Sequence, residues 1–345
     1  MKMRIAGLAA VVASALTLAC SSWFGGEPML VARSGLAMGS SVTLMAWTPD
    51  QDLANRSFDA AFAEFQRLEG LLSTWKPESD ISKLNAAAGN HPVKMSADTL
   101  KVLFEARDVS DLTGGKFDVT FGALSDLWKF DQDQDNSVPD ASALQARLPL
   151  IDYRRLVLDR YLGTAFLQKS GMRVNVGGVG KGYAVDRAVA LLRDAGLSDF
   201  SVQAGGDLYV AGSHGNRPWR LGIADPRAPD GDVFARVELT DSTFSTSGDY
   251  ERAFVRDGVR YHHIIDPDTG QPARLARSVT IVTGRAVVAD ALSTGVFVLG
   301  PEKGMALIER LRDVEAVIVG SDNRVHVSDG LKNRVSVLRT PTDGI

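Results

Sequence analysis

Cys20 is the only cysteine in 345 residues, so no disulfide can form within the chain. Whatever this sequence folds into is held by an apolar core. Its N-terminus reads as an export signal. Basic Met1-Lys2-Met3-Arg4 is followed by an apolar stretch from Ile5 to Ala19, with small residues before the break. That stretch is too short for a comfortable membrane span. Cys20 stands where a lipoprotein signal peptidase would cut. Its flank, Leu16-Thr17-Leu18-Ala19, approximates a lipobox, with Thr17 where leucine is usual. The expected organisation is a lipoprotein signal peptide over 1–19, a tether over 20–30 and one domain over 31–345. Diacylation of Cys20 would hold an otherwise soluble domain at a membrane surface. The alternative is an ordinary secreted chain with an incidental thiol. After cleavage roughly 325 residues remain, enough for one large domain or two smaller ones. With 38 basic and 42 acidic residues, the chain has no basic footprint for nucleic acid.

Hydrophobic periodicity predicts an α+β fold, with long helices packed on a mostly antiparallel sheet. Gly39–Trp47 alternates as a strand does. Leu53, Phe58, Ala61, Phe62, Phe65, Leu68 and Leu72 recur at helical spacing, so a helix is expected from about Asp52 to Leu72. Asp80 is placed to cap a short helix through Asn85. Ser96 is placed to cap a long one that stops at Gly114-Gly115. Residues 155–159, 164–168 and 173–176 read as a meander, followed by a helix from Val179 to about Ala195. Short strands continue to about His263. Helices near Asp290–Leu299 and Pro301–Leu311 alternate with closing strands. The acidic run Asp131–Asp140 fails the EF-hand pattern, because Asn136 replaces the turn glycine and Ser142 the bidentate glutamate. It reads as a solvated loop.

Three constellations could carry chemistry. In the first, Asp290, Ser293 and Thr294 fall at i, i+3 and i+4, so a helix presents all three oxygens on one side. Such a cluster suits Mg²⁺ or Ca²⁺; on spacing alone an aspartate cap with polar neighbours is the favoured explanation. The second is Asn175-Val-Gly-Gly-Val-Gly-Lys181-Gly-Tyr183. Its glycines would let backbone approach a phosphate or a metal. It is neither a Walker loop, since Gly182 follows the lysine, nor a full dinucleotide fingerprint, since Tyr183 takes the third glycine place. The third pairs Ser245-Thr-Ser-Gly-Asp-Tyr250 with His262-His263-Ile-Ile-Asp-Pro-Asp-Thr-Gly270. Only one of the two adjacent histidines can face a given cleft. No Gly-x-Ser-x-Gly elbow is present, and the other histidines lack zinc-ligand spacing.

Together these segments resemble the ApbE-type FAD:protein FMN transferases. The matching pieces are Met38-Gly-Ser, Ser73 to Asn85, Thr113 to Thr120, Asn175 to Asp186, Gly205-Gly-Asp207, Thr246 to Tyr250, His263 to Gly270, and Ala289 to Thr294. They follow family order over nearly the whole mature chain. The resemblance implies an ApbE-like (T-fold-like) architecture and roles residue by residue. Met38, Trp75, Lys116, Phe117, Asp118, Asn175, Lys181 and Ile264 would line the FAD site. Asp290, Thr294, Ser293 and the Gly178 carbonyl would hold the metal. The family often has aspartate where this chain has Asn175. Location in a bacterial cell envelope, lipid-anchored and facing the periplasm, also follows from the resemblance.

The implied reaction moves FMN from FAD to a threonine or serine hydroxyl of an acceptor protein and releases AMP. Family acceptors include subunits of sodium-translocating NADH:quinone reductase and Rnf-type complexes. Mg²⁺ on the pyrophosphate would neutralise the leaving group. His263 is the expected base, since imidazole titrates near neutrality. Two other readings stay open: an FAD pyrophosphatase giving FMN and AMP, and a non-catalytic flavin-binding lipoprotein. The metal cluster speaks against the last.

Overall fold

An antiparallel hairpin opens the described chain. The computed structural model describes residues 27–131, 133–229 and 231–344; the export signal and Cys20 lie outside the described residues. Strand β1 (Met29–Ala37) turns through Met38 and Gly39 into β2 (Ser40–Thr48). Both turn residues have positive φ, 53° and 69°. That handedness matches the twist of a two-residue hairpin. Met38 is held in this uncommon conformation by its N–H, which donates to Glu69 Oε2 at 2.9 Å. The strand begins at Met29, inside the stretch read as tether.

Helix α1 (Gln51–Leu72) buries Ala54, Phe58, Ala61, Phe65, Leu68 and Leu72, the three- and four-residue spacing of one helix face. Asp50 caps it by accepting from the Leu53 N–H at 2.8 Å. The short α2 (Asp80–Ala86) is capped by Ser79, not Asp80. Asp80 instead accepts from the Ser96 N–H and the Thr99 hydroxyl, both at 2.8 Å, joining α2 to α3 (Ala97–Leu112). Ser96 caps α3 as its position predicts. Between them lies β3 (Val93–Lys94), and after α3 come α4 (Ala141–Arg147), β4 (Leu156–Asp159) and β5 (Thr164–Leu167). The third strand of the small sheet is β3, not residues 173–176. Those residues are pinned by Asn85, which donates to the Val174 carbonyl at 2.9 Å and accepts from its N–H at 2.7 Å.

Helix α5 (Gly180–Asp194) leads into β6 (Phe200–Ala204), β7 (Asp207–Ala211), β8 (Trp219–Ala224), β9 (Val233–Leu239) and β10 (Ser242–Gly248). A separate ribbon, β11 (Ala253–Arg256) and β12 (Val259–His262), precedes β13 (Ala276–Thr283). Helix α6 (Ala286–Ile308), β14 (Glu315–Gly320), β15 (Val325–Val327) and β16 (Val335–Val337) complete the chain. Gly300 breaks α6 at φ 75°, just before Pro301, as the two expected helices require. Eight strands form one antiparallel sheet in the order β1-β2-β6-β7-β10-β13-β14-β15. Both faces are covered. In β14, Ala316 and Ile318 join the core beneath the helices, while Val317 and Val319 join a second core under the β16-β9-β8 sheet. Period-two alternation thus feeds two apolar layers.

The α5–α6 crossing depends on Gly182. A Cβ there would lie 2.2 Å from the Ala286 carbonyl oxygen. Gly182→Ala should therefore destabilise the protein by about 1–3 kcal/mol, or more if the backbone cannot shift. Gly70→Ala, inside α1 with open space around it, should stabilise by about 0.5–1 kcal/mol. Urea unfolding of both variants checks the pair; equal effects would refute the packing argument.

Candidate active site

Helix α6 is apolar on every side for most of its first three turns, which suits a helix enclosed by others. Asp290 is the one charged residue there, only 4 % exposed. A carboxylate buried there needs partners. Its Oδ2 accepts from the Gly182 N–H at 2.9 Å, and its Oδ1 lies 3.6 Å from Lys181 Nζ. Lys181 also reaches Asp207 Oδ2 and the Gly177 carbonyl, each at 3.1 Å. The other Asp207 oxygen accepts from the Ser245 hydroxyl. One ammonium therefore sits between two buried carboxylates. Burial alone would lower the Lys181 pKa; Asp207 and Asp290 outweigh this and hold it raised. Burial and the Asp207 charge push the Asp290 carboxyl up, against Lys181 and the Gly182 N–H.

Hydroxyls crowd the same spot. Ser293 Oγ donates to the Asp290 carbonyl at 2.8 Å, and Ser247 Oγ lies 2.8 Å from Ser293 Oγ and 3.3 Å from Thr294 Oγ1. Thr294 also faces the glycine loop, 3.2 Å from where a Gly178 Cβ would stand. The structure thus brings Gly178, Asp290, Ser293 and Thr294 together with Ser247 and Asp207. Every donor is a hard oxygen, and no trio of His, Cys, Asp or Glu forms a metal cluster among the described residues. This donor set fits Mg²⁺ and does not fit zinc. A capping role for Asp290 does not hold. Helix α6 is capped from outside by Asp186, which accepts from the Ala286 and Val287 N–H groups at 2.8 and 3.0 Å.

The residues expected to line a flavin site divide. Met38 borders the glycine loop, with its Cε 3.8 Å from a Cβ built at Gly180. Trp75 follows α1, whose Leu72 packs on the same glycine, and is 59 % exposed. Phe117 is wedged between Gly178 and Gly295. Lys116 bonds Asp266 and Asp268, both at 2.8 Å, and so clamps the Asp-Pro-Asp-Thr-Gly turn. Asn175 Oδ1 accepts from the Gly177 N–H at 2.9 Å and shapes the loop itself. Asp118 is a loop staple: its carboxylate accepts from the Thr120 N–H and hydroxyl and from the Tyr153 N–H. Ile264 is buried in the main core, with its N–H on His262 Nδ1 and its carbonyl on the Ala273 N–H. Neither Asp118 nor Ile264 has a free polar group facing a ligand.

The two histidines separate as strand geometry requires. His262 Nε2 donates to the Ala273 carbonyl at 2.8 Å while Nδ1 accepts from Ile264. Only the neutral imidazole satisfies both. It is a core histidine, so its substitution would not be silent. His263 extends the ribbon by donating its N–H to the Arg252 carbonyl at 3.1 Å. Its Nδ1 is buried with no hydrogen-bond partner among the described residues. Burial, with Arg252, His262 and Lys181 nearby, pushes its pKa down to about 3. The expectation of a near-neutral histidine is corrected accordingly. Asp249 is engaged by the Arg227 guanidinium through two bonds of 2.7 Å. Sequence reasoning passed over Asp207 and Ser247 as site residues, although both stand in segments it singled out.

The ApbE family model matches residues 38–318. An FAD:protein FMN transferase of Treponema pallidum is 36 % identical over 297 residues, covering 82 % of this chain and 82 % of that protein. The crystal structure of the ApbE protein of Thermotoga maritima superposes with a TM-score of 0.81 at 31 % identity, covering 91 % of this chain and 100 % of that one. The flavin transferase ApbE of Vibrio cholerae gives 0.80 at 28 %, covering 89 % and 99 %.

Both site histidines are held neutral, so both link stability to pH. His262 is pushed down by burial to about 4 from its ordinary 6.5. The unfolded chain therefore takes up a proton near pH 6.5 that the native chain refuses. Stability is full above about pH 6.5 and is lost as pH falls toward 4. His262→Gln can keep both hydrogen bonds but cannot titrate. Its stability should fall less steeply than wild type across that window, by up to one proton's worth of slope. Urea midpoints measured from pH 4 to 7 check this; parallel curves would refute it.

Proposed function

The chain belongs to the ApbE family and is an FAD:protein FMN transferase; we propose that it transfers FMN to a threonine or serine hydroxyl of an exported or membrane acceptor, with Mg²⁺, releasing AMP. The observation that carries this reading is the Nδ1 of a neutral His263, which has no hydrogen-bond partner among the described residues and has Lys181 nearby. A buried polar atom without a partner calls for an explanation, and a substrate hydroxyl supplies one. The acceptor oxygen forms a bond to the FMN phosphorus, the pyrophosphate P–O bond breaks, AMP leaves, and the hydroxyl proton passes to His263.

Asp290, Ser293, Thr294 and the Gly178 carbonyl would hold Mg²⁺. When bound, the ion neutralises charge on the pyrophosphate and on departing AMP. Lys181 binds the same phosphates as a point charge. Asp207 fixes its position and keeps it protonated. Met38 and Trp75 offer apolar and aromatic surface to the flavin or the adenine. A base held near pKa 3 is weak, but its depression comes partly from Lys181 and Arg252. The phosphates of FAD offset those cations and raise the basicity of His263 on binding.

We further propose that Cys20 is diacylated and that the domain faces the periplasm. The acceptors would be subunits of the sodium-translocating NADH:quinone reductase or Rnf type. Among the described residues no helix is long and apolar enough to cross a membrane; the anchor proposed is the lipid on Cys20. Wild-type protein should partition into detergent, and Cys20→Ala should not. Recovery of wild type wholly in the soluble fraction would overturn the anchor.

The direct test is to incubate the protein with FAD, Mg²⁺ and such a subunit, then weigh the subunit by mass spectrometry. An acceptor heavier by one FMN supports transfer; FMN and AMP with an unmodified acceptor would favour hydrolysis. Two variants separate the roles. Asp290→Asn keeps the shape but loses the charge, so Mg²⁺ affinity by calorimetry should fall at least tenfold with thermal stability near wild type. His263→Ala should lose transfer by about 10²–10⁴-fold while FAD affinity changes little. Loss of FAD binding in proportion to activity would make His263 a binding residue.

A further inference from the structure

Strand β10 serves both apolar layers. Phe244 joins the core under the β16-β9-β8 sheet. Ser245 and Ser247, an odd number of positions away, therefore face the helices. Both put a hydroxyl into the site. Ser245 donates to Asp207, which holds Lys181 at 3.1 Å. Ser247 reaches the other half of the site: its Oγ lies 2.8 Å from Ser293 Oγ and 3.3 Å from Thr294 Oγ1. The backbone around Ser247 is tied down. Ser247 pairs with Val279 of β13. Two residues further on, the Asp249 N–H donates to the Arg277 carbonyl at 3.0 Å, and Arg227 grips the Asp249 carboxylate through two bonds of 2.7 Å. The Ser247 hydroxyl thus stands on a fixed strand, where a side chain is placed more accurately than on a loop.

Proton counting gives these hydroxyl contacts a direction. A serine or threonine hydroxyl has one proton to donate and two lone pairs to accept with. Ser293 commits its proton to the Asp290 carbonyl, 2.8 Å away. The bond between Ser247 and Ser293 must then run from Ser247 to Ser293. Ser247 is left as an acceptor, and Thr294 can donate to it at 3.3 Å. The alternative acceptor for Thr294 is the same Asp290 carbonyl, farther away at 3.5 Å and already taken by Ser293. Protons therefore point from Thr294 to Ser247, from Ser247 to Ser293, and from Ser293 to the carbonyl. In that order Ser293 and Thr294 both keep a free lone pair, which is what a hard cation takes. Resting on the Mg²⁺ reading of this site, we propose that Ser247 is a positioning residue that orders the Ser293 and Thr294 hydroxyls so that both offer lone pairs to the ion. It acts through those two side chains and does not ligate the ion itself.

The test is calorimetry of Mg²⁺ binding to the full chain, beside thermal melting of the metal-free protein. Ser247→Ala should weaken Mg²⁺ about 10–100-fold, the usual loss when a residue that orients metal ligands is removed, with melting close to that of wild type. Ser247→Thr keeps the hydroxyl and should recover the affinity. An equal loss in both variants would mark a packing effect and overturn the role. Ser247→Cys tells ordering from ligation, because a thiol is a weak donor but a soft ligand. It should lose Mg²⁺ affinity without gaining Cd²⁺; a gain in Cd²⁺ over Mg²⁺ would make Ser247 a ligand and overturn the proposal. Wild-type Mg²⁺ affinity in Ser247→Ala, with Asp290→Asn impaired, would overturn this inference and leave the ion site standing. A wild-type chain that binds no Mg²⁺ would overturn both.

Discussion

A carboxylate enclosed by helices is the constraint around which this structure is arranged. Asp290 is buried in a mostly apolar stretch at the start of its helix, so its charge must be met locally. The Gly182 N–H and the Lys181 ammonium meet it. Both come from the first turn of α5, and the N–H reaches Asp290 only because residue 182 has no side chain. The crossing of α5 over α6 and the electrostatics of the site are therefore one feature. Asp186, one turn further along α5, caps α6 and fixes the same crossing from the other end.

That arrangement changes the meaning of the glycine loop. In the sequence its glycines read as room for a phosphate. Gly182 instead makes room for α6, and Gly178 makes room for Thr294 and Phe117. Gly177 remains exposed and keeps its N–H on Asn175 Oδ1. The loop is shaped by helix packing first, and ligand access is confined to its outer residues.

The elements with strong periodicity were legible: α1, the Ser96-capped α3, and the broken α6 with its Gly300-Pro301 stop. So was the grouping of Asp290, Ser293 and Thr294, because helix geometry alone puts them on one side. What periodicity hides is long-range pairing. Residues 173–176 alternate like a strand, yet Asn85, some ninety positions earlier, takes Val174's peptide groups. Asp207 and Ser247 were visible only as members of short motifs. Their place beside Lys181 and Ser293 depends on the order of strands β7 and β10 in the sheet. The second apolar layer between the large sheet and β9 was equally hidden, since β13 and β14 are buried on both faces and show no polar alternation. The lowered pKa of His263 comes first from burial and then from Arg252 and Lys181, which no local reading supplies.

Charge balance in the site points to an order of events on the proposed reading. Without substrate, Lys181 is satisfied by Asp207 and Asp290, and His263 is kept neutral and weakly basic by burial and nearby cations. The dianionic pyrophosphate of FAD would compete with the carboxylates for Lys181 and lower the positive potential felt by His263. Basicity then rises only when the electrophile is in place. On the proposed reading FAD relieves the part of that depression caused by Arg252 and Lys181, while burial, its larger cause, persists. That conditionality leaves the choice between water and a protein hydroxyl to whichever is held at His263 once FAD is bound.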